Sequence, residues 1–167
     1  MADKVKSEKR LYETRFSFGA TAAIITNLAL AVGLRTGEHA KWSIIGGMLV
    51  IAIADNISDA VGIHIYQESE LLEAREVWLC TFTNLITRFL VSLTFIALVF
   101  FLPLKLAVVS TLTWGLLLLS IMSYMIARDK GMNPCLAILE HLALAIAVVT
   151  ASNFFGQYIL ARLAVLR

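Results

Sequence analysis

The stretch FSFGATAAIITNLALAVGL, residues 16–34, contains nineteen residues and no charged side chain. At about 1.5 Å of rise per residue, a helix of this length crosses the roughly 30 Å hydrocarbon core of a bilayer. Over the whole chain, 59% of the residues are hydrophobic and 16% are charged, whereas soluble domains average about 45–50% and about 25%. The sequence of 167 residues therefore predicts an all-α integral membrane protein.

Four further apolar segments follow along the chain, separated by short polar or proline-containing turns. They complete a predicted five-transmembrane-helix bundle in one domain, 16–167, whose spans are 16–35, 42–66, 77–102, 104–127 and 134–163. Residues 1–15 are polar and of mixed charge, which predicts an interfacial N-terminal segment with Leu11 and Tyr12 on the membrane surface. This segment has no apolar core followed by a small-residue cleavage site, so it does not resemble a removable signal peptide.

Lysine and arginine residues are divided unequally between the two sides of the predicted bundle. The side with the N-terminus and the turns after helices two and four carries eight of them, and the opposite side carries five. Because cytoplasmic loops are enriched in these residues, we expect a cytoplasmic N-terminus. The formal net charge of +2 and the absence of a long basic run give no sign of nucleic-acid binding.

The residues whose placement in a bilayer costs the most free energy lie in helix two, where residues 52–70 read AIADNISDAVGIHIYQESE. Asp55 and Asp59 are four residues apart, so they share one helical face near the middle of the span. Charges at this depth are expensive and are therefore candidates for function. Carboxylates with nearby amide and hydroxyl oxygens suit Mg²⁺, Ca²⁺, Mn²⁺ or Fe²⁺. The candidate supporting oxygens belong to Asn27, Thr26 and Asn56.

Two interpretations of these aspartates remain open. An empty carboxylate at this depth is expected to bind a proton, and a site that holds either protons or a dication is the core of a metal/proton exchanger. Alternatively, Arg88 of helix three lies at a similar depth and pairs with one aspartate for structural reasons. One arginine cannot neutralise both, and Glu140 is predicted to be a third buried acid. Glu140 and His141 are candidates for a proton relay or for a local bond to the neighbouring loop.

The sequence also permits predictions for the glutamates that follow helix two, for His64 and for the two cysteines. An acidic collar at the end of helix two is either a solvated face or a weak cation-attracting vestibule. The collar consists of Glu68, Glu70, Glu73 and Glu76. His64 is predicted to be a packing or interfacial histidine rather than a ligand. Cys80 and Cys135 fit no zinc or redox spacing and are predicted to be small apolar fillers.

Three segments resemble the vacuolar iron transporter family. GATAAIITNLALAVGL (19–34) is similar to its first helix, and ARDKGMNPCLAILEHLALAIAVVTASNFFGQYI (127–159) resembles its closing segment. SDAVGIHIYQESE (58–70) resembles its S-M-x-x-G-x-Y-x-x-x-x-S-E signature. The residues that keep the family spacing are Ser58, Gly62, Ser69 and Glu70.

The resemblance implies a homodimer of five-helix chains with a cytosolic N-terminus. It also implies proton-driven export of Fe²⁺, and often Mn²⁺, from the cytosol along a dimer interface lined by helices one and two. The chain resembles short prokaryotic members of the family, which points to a prokaryotic plasma (inner) membrane, and QESELLEARE (67–76) stands where longer members carry a cytosolic metal-binding domain. By this resemblance, Ala22 stands where the family has a metal-binding aspartate, and Asp59 stands where it has a metal-binding methionine. Relative to the family, helix one has lost a carboxylate and helix two has gained one.

The favoured prediction is a dimeric divalent-metal transporter, Fe²⁺/Mn²⁺-like, that exchanges metal for protons and has no enzyme activity or resident cofactor. Its expected partners are divalent metal ions, protons, the lipid bilayer and a second copy of the chain. Helices one and two are expected to face that copy, and helix four to face lipid or to pack peripherally. The alternatives are a non-transporting scaffold or assembly protein with structural ion pairs, and a cation channel.

Overall fold

The computed structural model of the protein describes residues 19–165, so the predicted interfacial segment 1–15, with Leu11 and Tyr12, lies outside the described residues. The described part of the chain is helical and contains no strand. Its five helices are α1 (Gly19–Gly33), α2 (Ala40–Ser69), α3 (Ala74–Phe101), α4 (Leu104–Asp129) and α5 (Pro134–Val165). The turns between α2 and α5 are short, so consecutive helices run antiparallel.

Four of these helices, α2 to α5, are long and apolar enough to cross a membrane. They contain 26 to 32 residues, and about 20 are needed for a span. This confirms the prediction of a multi-pass helical membrane protein. The described part of α1 is a shorter apolar helix, and residues 16–18 of its predicted span lie outside the described chain.

The turn between α2 and α3 is tighter than the sequence indicated. α2 continues to Ser69 instead of ending at residue 66, and α3 begins at Ala74 instead of residue 77. The added residues are mostly glutamine, glutamate and arginine, which are good helix formers even outside an apolar span. Leu71 then adopts a left-handed conformation (φ 56°), which reverses the chain within four residues.

Helix α1 occupies the centre of the bundle and touches all four other helices. Its contacts with α2, α3, α4 and α5 involve Gly47, Ser92, Gly115 and Ser152, respectively. These residues are small, which lets neighbouring backbones approach closely. All described residues of α1 are buried or half-buried in the single chain, so the expected contact of α1 with a second copy stays a prediction.

Helix α5, rather than α4, is the peripheral helix. Only 11% of the apolar span of α5 is buried, compared with 33% for each of α2, α3 and α4. α4 buries a row of residues spaced about four apart, against which its neighbours pack. The row consists of Ala107, Thr111, Gly115, Leu119 and Ser123. α4 is therefore no more peripheral than α2 or α3, although its opposite face, with Leu106 and Val109, is exposed and leaves the prediction of a lipid-facing helix four open.

Apolar and polar residues occupy different parts of the α2–α3 contact. Toward the start of α2 the interior is apolar, with Ile44 and Met48 near Phe95 and Val99 of α3. Toward the end of α2 the buried residues become polar. The candidate site lies in this second region.

Candidate functional site

The buried face of α3 carries a stripe of polar side chains directed at α1 and α2. Its members are Thr81, Asn84, Arg88 and Ser92, all of which are buried. They are three or four residues apart, so they line one side of the helix. Only Arg88 was identified from the sequence, although the spacing of the other three would have been a usable signal.

Arg88 is the centre of the site and is 2% exposed. Its Nη2 donates to Oδ2 of Asp55 at 2.6 Å, and its Nη1 donates to Oδ2 of Asp59. Its Nε donates to Oδ1 of Asn56 at 2.8 Å. The planar guanidinium therefore binds three side chains of α2, which lie within a little more than one helical turn of one another.

Pairing of Arg88 with both aspartates differs from the expected one-to-one ion pair. The fork of five N–H donors on a guanidinium can serve two carboxylates at once, and Asp55 and Asp59 lie one above the other on α2. The charges do not balance, because two ionised carboxylates and one guanidinium sum to −1. The prediction that at least one of these carboxylates needs a proton or another cation therefore stays open.

The two carboxylates are much more accessible than the arginine that binds them. The side chains of Asp55 and Asp59 are 45% and 37% exposed on the single chain, compared with 2% for Arg88. Both aspartates stand near the middle of the 30-residue helix α2. The guanidinium of Arg88 is thus buried at the bottom of the site, and the two carboxylates at its opening are partly exposed.

The predicted supporting oxygens do not all join this site. Asn56 does, but as an acceptor for Arg88. Asn27 of α1 instead donates to the Ala23 carbonyl at 2.8 Å and to Ser92 Oγ at 3.0 Å. Thr26 is half-buried on α1, and the described structure shows no hydrogen bond from it to either carboxylate. Neither residue hydrogen-bonds to the carboxylates, but Oδ1 of Asn27 is buried and has no hydrogen-bond partner among the described residues, so the ligand role of Asn27 and Thr26 stays a prediction.

Asn84 is an unexplained polar group next to the site. It is fully buried, and neither its Oδ1 nor its Nδ2 has a hydrogen-bond partner in the described part of the chain. It lies one helical turn from Arg88 and packs on Gly19, where a β-carbon would overlap Oδ1. Buried amides are normally paired with protein or ordered water, so water or another polar ligand is expected beside Asn84.

The predicted acid and histidine of α5 lie apart from this cluster. Glu140 is exposed, so the expectation that it is a third buried acid was wrong. The inward face of α5 could not be identified from periodicity, because α5 is apolar around most of its surface. His141 is half-buried and its Nδ1 lies 2.8 Å from Ser123 Oγ of α4. Neither is joined to Arg88 by an ion pair among the described residues.

The acidic collar lies around the turn between α2 and α3. Glu68, Glu70 and Glu73 are exposed and Glu76 is half-buried. This arrangement fits a solvated face and leaves the vestibule function a prediction. The cysteines behave differently from each other, because Cys80 is buried as predicted whereas Cys135 is exposed in the first turn of α5.

A preformed metal cage is not present in residues 19–165, where no three His, Cys, Asp or Glu side chains come together. Two carboxylates of one chain therefore need further ligands if they are to hold a metal ion. Comparisons with protein-family models, curated proteins and solved structures find no match to this chain, so membership of the vacuolar iron transporter family stays a prediction.

Proposed function

We propose that this protein is a membrane transporter that exchanges a divalent metal ion, Fe²⁺ or Mn²⁺ foremost, for protons. The observation that carries the proposal is that one guanidinium, that of Arg88, binds two carboxylates, Asp55 and Asp59, near the middle of α2. If both carboxylates are ionised, the cluster has one uncompensated negative charge. An uncompensated charge at this depth is expensive. A proton or a metal ion would remove that cost, and alternation between the two is the basis of exchange.

The geometry also suggests how binding and release would be coupled. The Oδ2 atoms of Asp55 and Asp59 are the atoms that Arg88 binds, so a dication and the guanidinium would compete for the same oxygens. Protonation of the carboxylates would weaken both interactions. Asp55 and Asp59 are thus proposed as ion ligands and proton acceptors, and Arg88 as the internal cation that occupies the site between cycles.

A second copy of the chain is part of the proposal. Asp55 and Asp59 are partly exposed on the single chain, and carboxylates that face lipid near mid-span would be costly. Pairing of two α2 helices would cover them and would supply the additional oxygen ligands that one chain lacks. Metal export from the cytosol, a cytoplasmic N-terminus and a prokaryotic inner membrane complete this proposal.

One observation favours a second candidate, a non-transporting membrane protein. Arg88 engages both aspartates and Asn56, so the cluster could serve only to hold α2 against α3. In that case Arg88 and its partners contribute to stability and specificity of helix packing. Transport by the purified protein separates this candidate from the first.

The test is Mn²⁺ and Fe²⁺ flux into proteoliposomes, with and without a pH gradient. We expect flux in the wild type to depend on the gradient, and Asp59→Asn to reduce it more than about tenfold, because an amide lacks the exchangeable charge. Asp129→Asn, which changes an exposed carboxylate at the end of α4, is the matched control and should transport normally. Full metal/proton exchange by Asp59→Asn would exclude the proposed ligand, and a wild type without flux would favour the structural candidate.

A further inference from the structure

His64 makes a second polar cluster, about 7.5 Å beyond Asp59 along α2, since the two residues are five positions apart. Its Nδ1 lies 3.1 Å from Thr81 Oγ1 of α3. Its Nε2 lies 3.4 Å from Oε1 of Glu68, one turn farther along α2. The ring also packs against Trp78, with 4.5 Å between ring centroids.

The hydroxyl of Thr81 favours one tautomer of this imidazole. Thr81 Oγ1 donates its single hydrogen to the carbonyl of Val77 at 2.8 Å. With its hydrogen on that carbonyl, Thr81 can only accept from His64, and in this arrangement Nδ1 of His64 carries a hydrogen. In the neutral ring the lone pair is then on Nε2.

In that tautomer the lone pair on Nε2 of His64 lies close to Oε1 of Glu68, and a cation between the two atoms would be stabilised by both. These two atoms, which are 3.4 Å apart, are both acceptors in the neutral Nδ1–H tautomer, and a cation, either a proton or a metal ion, would stabilise their approach. Two ligands about 2.1 Å from a tetrahedrally coordinated ion are about 3.4 Å apart. Histidines that bind metals also typically donate the other ring N–H to an oxygen, as His64 does to Thr81.

A further oxygen belongs to Gln67, the residue that precedes Glu68 in α2. Gln67 is three residues from His64, which places it about 60° around the helix. It is 2% exposed, and its Oε1 has no hydrogen-bond partner among the described residues. A buried amide oxygen without a partner is rare, and coordination of a cation beside His64 and Glu68 would satisfy it.

We propose that His64, Glu68 and Gln67 form a divalent-cation site at the end of α2, completed by water on the exposed side of Glu68. Nε2 of His64 and a carboxylate oxygen of Glu68 are its principal ligands, and Thr81 is a positioning residue that orients the imidazole. The site is separate from the Asp55–Arg88–Asp59 cluster, and it does not depend on the proposed transport function. Its mixed nitrogen and oxygen ligands suit Zn²⁺, Mn²⁺ or Fe²⁺ better than Ca²⁺.

Zinc titration of the purified full chain, labelled with ¹⁵N at histidine only, tests the site. The chain has three histidines, so each imidazole can be followed by NMR. We expect the Nδ1–H tautomer at His64 and a zinc-dependent shift of its Nε2 that saturates at one ion per chain. The Asp59→Asn variant should show the same response, which separates this site from the one proposed for transport.

Three substitutions, one of them a control, and an internal control histidine sharpen the test. Glu68→Gln should weaken zinc binding at His64 more than about tenfold, whereas Glu70→Gln, on an exposed neighbour, should leave it unchanged. Thr81→Val should weaken it by about 10–100-fold, the usual effect of removing an orienting partner. His141 is held in the same way by Ser123, whose hydroxyl donates to the Leu119 carbonyl at 2.6 Å, but no described carboxylate lies within ion-pair distance of it. It should share the tautomer without responding to zinc.

Three results would overturn the proposal. The first is an absence of any zinc-dependent change at His64. The second is equal affinity in the wild type and in Glu68→Gln. The third is a His64 that is found as an imidazolium paired with Glu68 and does not release its proton when zinc is added.

Discussion

Arg88 donates its Nε hydrogen to Oδ1 of Asn56 across 2.8 Å, so a neutral amide fixes the plane of the guanidinium while both remaining nitrogens reach carboxylates. The amide adds no charge to the cluster. It prevents the guanidinium from turning away from α2, because a buried donor that loses its acceptor is costly. The charge state of the site can therefore change while the position of Arg88 stays the same.

This role of Asn56 predicts the effect of Asn56→Leu. The substitution keeps a similar volume but leaves Nε of the buried Arg88 without an acceptor, and we expect the free energy of unfolding to fall by about 1–3 kcal/mol. Denaturant titration in detergent micelles would measure the change. Asn153→Leu is the control, because the hydrogen bond of Asn153 is with exposed Gln157, and it should change stability by no more than about 0.5 kcal/mol. Equal losses in the two variants would contradict the role assigned to Asn56.

Arg88→Met should be among the most destabilising single changes in the bundle. It leaves Asp55 and Asp59 beside each other with no cation, and breaking a buried pair typically costs about 3–5 kcal/mol. The loss here is expected at the lower end, because both carboxylates are partly exposed. The triple variant Arg88→Met, Asp55→Asn, Asp59→Asn removes every charge and should recover most of the stability. A triple variant as unstable as Arg88→Met alone would show that packing, not charge, explains the loss.

The contact of α1 with α5 predicts a sharp sensitivity at one glycine. A methyl group at Gly156 would overlap the carbonyl oxygen and Cα of Gly33, and a backbone atom cannot move aside as a flexible side chain can. We expect Gly156→Ala to destabilise the fold by about 1–3 kcal/mol. Gly46→Ala is the control, because nothing lies within 4 Å of its added carbon, and it should be neutral or slightly stabilising. Thermal unfolding of the two variants side by side would measure the difference.

The topology can be tested with a cysteine that the chain already contains. Cys135 is exposed near the turn between α4 and α5, whereas Cys80 is buried. If the N-terminus is cytoplasmic, this turn is cytoplasmic too, so a membrane-impermeant maleimide should label Cys135 only after the membrane is opened. Cys135→Ala is the control and should remove the labelling. Rapid labelling of Cys135 in intact cells would reverse the orientation.

The spans were predictable because the property that defines them is local. α2, α3, α4 and α5 are each long, apolar and separated by turn residues, and the prolines at 103 and 134 immediately precede α4 and begin α5. The central position of α1 was not predictable, because length and hydropathy do not specify neighbours. Its contacts with α5 depend on residues more than a hundred positions away in the chain.

The candidate site was predictable in its residues but not in its geometry. Asp55, Asp59 and Arg88 were identified because a charged residue within an apolar segment can be recognised from the sequence alone. That one guanidinium bridges both aspartates depends on the rotation of α3 against α2, which the sequence does not display. Asn84 and Ser92 were missed because uncharged polar residues are common in membrane helices, and only their shared spacing with Arg88 distinguishes them. Glu140 was misplaced because α5 has no clear apolar face to orient it.

The contact between Ala29 and Ser152 joins residues 123 positions apart, and it has a consequence for biosynthesis. Membrane helices insert first and pack afterwards, so α1, which leaves the ribosome before α5, cannot complete its packing until α5 has been made. Until α5 is made, Gly33 lacks its neighbours Ser152 and Gly156. Nascent chains that stall before α5 should therefore be incompletely packed and preferred substrates for membrane quality-control proteases.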